Sequence, residues 1–126
     1  MVNKGIYSGY LTADPELKVT ENSKYCDFCI GIKRNYKNKN NEYDSDFVNL
    51  KVWGKSAEKL CENSKKGEYI SCVAHVETSK YINKENQTRY VTELIVDELS
   101  IKPKEKTHEQ NIKSKEMDFE YDRMQL

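Results

Sequence analysis

Between Asp46 and Lys55 the chain reads Asp-Phe-Val-Asn-Leu-Lys-Val-Trp-Gly-Lys. As a strand, this run sends alternate side chains to opposite faces. Val48, Leu50 and Val52 form one face, ordinary core material. Phe47, Asn49, Lys51 and Trp53 form the other, which is not ordinary surface. Two large rings beside a lysine and an amide suit the stacking of unpaired bases and the holding of their phosphates. The same rings also suit packing beneath a loop or against another subunit, so the rest of the chain must arbitrate.

Strand signals recur on both sides of this run. Residues 3–12 read as a first strand with Ile6, Tyr7, Tyr10 and Leu11 as its bulky members, and Gly5 and Gly9 admit a close backbone or a bend. Asp14 and Pro15 break it. A short extended piece follows at Glu16–Thr20. From Tyr25 to about Tyr36 a long strand alternates Cys26, Phe28, Ile30 and Ile32 inward against Asp27, Cys29, Gly31 and Lys33. Its far end is a basic hairpin tip. Lys33, Arg34, Lys37 and Lys39 surround Tyr36, and no acid appears until Glu42. Such a tip is usually only solvated. This one leads directly into the aromatic run, so it extends the same candidate surface.

After Trp53 the period changes. Ser56–Asn63 suit a short helix with Ala57, Leu60 and Cys61 on one side. Lys65 and Lys66 are expected in its last turn and Gly67 at its C-terminal cap. Residues 69–82 then form a strand with Ile70, Cys72, Ala74 and Val76 toward the core. A polar hairpin occupies 83–87. A last strand from Arg89 to Ile101 alternates Tyr90, Thr92, Leu94 and Val96. Pro103 closes the domain. Residues 103–126 are poor in apolar side chains and are expected to be a disordered tail.

Charge does not identify a partner, because 21 basic residues balance 21 acidic ones. Any basic site must therefore be local. No run approaches the ~20 apolar residues of a membrane span, and no leader-like segment opens the chain, so a cytoplasmic protein with no membrane partner is expected. Cys26 and Cys29 have metal-like spacing, but residues three apart on a strand point to opposite faces and do not share an ion easily. No metal or other cofactor is expected. A catalytic reading, such as a nuclease, needs convergent acids or metal ligands. Asp27, Glu77, Glu93, Asp97 and Glu98 are scattered over strands without a motif, so no enzymatic activity is expected.

Three strands, a helix and two further strands, with long charged hairpins near 37–45 and 82–88, match an all-β fold. It is the five-stranded oligonucleotide/oligosaccharide-binding barrel, with one short helix between strands three and four. The chain resembles bacterial and phage single-stranded DNA-binding proteins over roughly residues 1–102. The residues that carry the resemblance are Asn3-Lys4, Gly9–Glu16, Asp46–Lys55, Ala57-Glu58, Lys66-Gly67 and Arg89–Glu93. Each is weak alone, and their order and spacing together are specific.

The resemblance implies non-catalytic binding of single-stranded DNA during replication, recombination and repair, usually by a homotetramer. It implies stacking of bases on Tyr36, Phe47, Trp53 and Tyr81. It implies phosphate contacts from Lys4, Lys33, Arg34, Lys51, Lys80 and Arg89, to which the basic tip adds Lys37. Tyrosine stands at two positions where the family commonly has tryptophan, and Glu77 stands where a basic residue is frequent. The family's tail ends in acids, a proline and a phenylalanine that recruit replication and repair proteins. Here Asp118, Phe119, Glu120, Tyr121 and Asp122 form an acidic and aromatic patch, without proline and with Arg123 after it. The alternative is that the same barrel serves as a primosome or assembly module that leans on protein contacts.

Overall fold

The alternation in the aromatic run is realised as a long strand in a computed structural model that describes residues 1–101. In chain order the elements are β1 (Gly5–Leu11), β2 (Lys18–Val19), β3 (Lys24–Lys37), β4 (Tyr43–Trp53), α1 (Lys55–Asn63), β5 (Tyr69–Ile82) and β6 (Thr88–Ser100). The five long strands close in the order β1-β5-β6-β4-β3. The β1–β3 pairing of Tyr10 with Gly31 and Leu11 with Ile30 completes the ring. All these pairings are antiparallel except β4 with β6, which is parallel at Lys51 and Ile95. Short β2 lies outside the ring on β3. This is the expected barrel, with the helix between its third and fourth long strands.

Closure brings two backbones close together at Gly9. A Cβ there would lie 2.5 Å from the carbonyl oxygen of Gly31, so only glycine lets β1 cross onto β3. The core gathers the inward residues of each strand, with Ile30, Leu60, Ile70, Val52 and Cys26 wholly buried. Helix α1 packs against β3 and β4 and adds Ala57 and Leu60 to that core. It starts abruptly because Gly54, at φ 70°, turns the chain out of β4 in one residue. At its first turn Glu58 pairs with Lys24 of β3.

Two local expectations are corrected. The helix ends at Asn63 with extended Ser64 as its cap, so its last turn holds no basic residue. Lys65, Lys66 and Gly67 belong to the turn into β5. There Gly67 donates its N–H to Leu11 O, and Lys66 donates its own to the Asp14 carboxylate. Tertiary bonds to the β1 end, not helix capping, claim that glycine. Val76 was expected in the core but is 39% exposed. The register shifts between Val73 and Ala74, where β6 carries the extra residue Asp97, and beyond this bulge the β5–β6 ribbon runs past the barrel.

Candidate nucleic-acid interface

The outward face of β4 carries Tyr43, Phe47, Asn49, Lys51 and Trp53, all at odd positions of one uninterrupted strand. Phe47 is 69% exposed and Trp53 44%, while Leu50 and Val52 on the other side are buried. The facing expected from alternation is therefore observed. Strand β3 supplies the opposing row through the register Tyr25–Trp53, Asp27–Lys51, Cys29–Asn49 and Gly31–Phe47. The Phe47 ring lies over Gly31, where even a Cβ would come within 3.4 Å of it.

Lys51 is the centre of this face. Its ammonium lies 3.0 Å from Glu93 and 3.9 Å from Asp27. It also sits 5.1 Å from the Tyr25 ring centre and 5.7 Å from that of Trp53. The Glu93 hydrogen bond leads the causes that raise its pKa, so the charge stays on. Around it lies an open groove of about 420 Å³, bounded by the Thr12–Pro15 loop on one side and by Asn49 and Glu93 on others. A groove with a fixed cation, flanking rings and acceptor oxygens can hold a base and a phosphate. Its three acidic residues, Asp14, Asp27 and Glu93, reduce the positive charge on offer.

The other expected residues fall in different places. Arg34 holds Asp46 by two hydrogen bonds, of 2.8 and 3.1 Å, on the strand face opposite Phe47. That pairing raises the pKa of Arg34 and lowers that of Asp46. Tyr36 stands in a bulge of β3 between Lys33 and Lys37, its ring 5.9 Å from Arg34. Lys33 and Lys37 instead lie over Tyr43, at 4.3 and 5.7 Å. Tyr81, 52% exposed, pairs with Arg89 at the start of the β5–β6 hairpin. Lys80 pairs with Tyr90 on the opposite face of that ribbon. Lys4 follows Asn3, whose side-chain amide bonds both backbone groups of Val76 and so ties the N-terminal segment to β5. Asp118, Phe119, Glu120, Tyr121 and Asp122 lie outside the described residues.

Sequence reading missed Tyr25, Tyr43 and Glu93. Tyr25 was legible as the residue two before Asp27 on the outward row, but its meeting with Trp53 depends on register, which the hairpin sets. Glu93 comes beside Lys51 only through the parallel β4–β6 contact. Glu77, opposite Glu93, is taken up by His75 at 2.6 Å, and the other ring nitrogen of His75 lies 2.8 Å from Asp97. Cys26 and Cys29 point to opposite sides, one buried and one outward.

A model of the single-strand binding protein family matches residues 2–102. The chain is 36% identical over 102 residues to single-stranded DNA-binding protein 1 of Streptococcus pyogenes, covering 80% of this chain and 78% of that protein. It is 36% identical over 111 residues to single-stranded DNA-binding protein 1 of Lactococcus lactis, covering 87% and 74%. It is 34% identical over 110 residues to the single-stranded DNA-binding protein of Staphylococcus epidermidis, covering 86% and 83%.

Proposed function

Because the chain belongs to the single-strand binding protein family, we propose that it binds single-stranded DNA, without catalysis, across the outward face of β3 and β4. The observation that carries this reading is the outward row of Phe47, Lys51 and Trp53, its two rings exposed and backed by Tyr25. A soluble barrel gains nothing by leaving such rings in water, whereas each base stacked on one contributes on the order of 1–3 kcal/mol. Stacking tolerates any base, so the binding is expected to ignore sequence. Tyr81 and Arg89 continue the path along the β5–β6 hairpin, and Lys33 and Lys37 continue it along β3. Lys4, Lys80, Arg34 and Tyr36 are placed at its margins, Arg34 with its charge already committed to Asp46.

On this reading the protein covers single strands exposed in replication, recombination and repair, in the bacterial cytoplasm and as a homo-oligomer, by family analogy a tetramer. Residues 103–126 are the recruiting segment, through Phe119 and Tyr121 among their acids. Among the described residues no helix is long and apolar enough to cross a membrane. The test is fluorescence anisotropy with labelled oligo-dT beside a blunt duplex of equal length. Clear preference for the single strand is expected. Equal binding to both would leave only a general affinity for phosphate and would overturn the reading.

A further inference from the structure

We propose that Tyr43, with Lys33 and Lys37 laid over its ring, is an additional nucleotide subsite. It carries the single strand from Phe47 onto the β3–β4 hairpin. The inference rests on the reading of the β3–β4 face as the DNA site and extends that site at one end.

Three observations converge on Tyr43. Strand parity places it on the face of Phe47 and Trp53. Four residues of strand separate it from Phe47, about 14 Å at ~3.4 Å per residue, so a strand of DNA passing over Phe47 runs toward it. Tyr43 is 46% exposed, so surface is left for a base beside the lysines.

The second observation is charge. Among the described residues Lys33 and Lys37 make no ion pair, whereas Lys51 is held by Glu93 and Asp27 and Arg34 by Asp46. The uncommitted positive charge of this face therefore collects at Tyr43. A ring with ammonium groups 4.3 and 5.7 Å from its centre offers a base platform and phosphate partners together. Asp44 is turned to the other face, where Arg34 and Asn38 take it.

The third is rigidity. Asn38 Oδ1 accepts the N–H groups of Asn40 and Glu42, and Asn38 N–H donates to Glu42 O. The turn that delivers Tyr43 is thus held before any ligand arrives, which lowers the ordering cost of binding. Tyr36, the other tyrosine near the hairpin turn, lies instead beside the committed guanidinium of Arg34.

The full chain, with Tyr43→Ala, Tyr43→Phe and Trp53→Ala, is titrated with oligo-dT of graded length. Tyr43→Ala is expected to match wild type on the shortest oligomers that bind. On longer ones it should bind at least about fivefold more weakly, the lower end of one stacked base. Tyr43→Phe should follow wild type. If Tyr43→Ala stays within about twofold of wild type at every length while Trp53→Ala loses affinity, the ring only braces the hairpin and the inference fails. If neither alanine variant loses affinity, the assignment of the face itself fails. A second readout avoids any folding defect: wild-type protein is photocrosslinked to 5-iodouracil oligomers. An adduct on Tyr43 supports the subsite, and adducts confined to Tyr36, Phe47, Trp53 or Tyr81 overturn it.

Discussion

Tyr25 and Trp53 face each other across β3 and β4, with ring centres 4.9 Å apart and planes tilted by 39°. The pair is a cross-strand contact of the kind that adds specific geometry beyond buried area. Tyr25 holds the indole from one side, Lys51 lies near both rings, and the rest of Trp53 stays open to a base.

Trp53→Ala is therefore expected to weaken single-strand binding by roughly 1–3 kcal/mol, and Phe47→Ala by a similar amount, the range for one stacked base. Both rings are exposed, so the variants should remain folded. Circular dichroism beside an oligo-dT titration checks both. A variant that loses its fold would show the ring to be a core element.

Much of this face was legible in the sequence, because Phe47, Lys51 and Trp53 alternate strictly with Val48, Leu50 and Val52. The barrel was legible for the same reason in Cys26–Ile30 and Ile70–Ala74. What escaped depends on register. The polar run from Lys33 to Lys37 has no period to reveal a bulge, so nothing in it separates Tyr36 from Tyr43. Adjacent residues such as Lys33 and Arg34 must diverge on a strand, yet only the structure shows Arg34 committed to Asp46. Gly67 and the lysines before it mimic a helix end. Their bonds to Leu11 and Asp14 come from more than fifty residues away.

Salt should weaken binding moderately. Lys51 is largely offset by Glu93 and Asp27, and Arg34 by Asp46, which leaves about two to four productive phosphate contacts per subunit. At about −0.7 per phosphate for single strands, log affinity against log salt should slope by roughly −1.5 to −3 per subunit. A titration series in sodium chloride checks this. A much steeper slope would mean that cations rather than rings carry the binding.

His75 gives the fold a pH dependence. Both ring nitrogens meet carboxylates, and only the imidazolium can donate to both. The hydrogen bond to Asp97, then that to Glu77, raises its pKa above the ordinary 6.5. A raised folded value means stabilisation fully present below about pH 6.5 and lost as pH climbs through the folded value. The difference in Tm between wild type and His75→Gln should therefore shrink from mildly acid to alkaline buffer. A difference that stays constant across that range would contradict the assignment.

Trp53 is the single tryptophan of the chain, so its emission reports from the middle of the proposed face alone. Titrating the intact protein with oligo-dT, while anisotropy of a labelled strand tracks binding independently, tests the account most directly. Saturable quenching of Trp53 that coincides with the anisotropy curve is the predicted result. Binding by anisotropy with the Trp53 emission unchanged would place the single strand on another surface and contradict it.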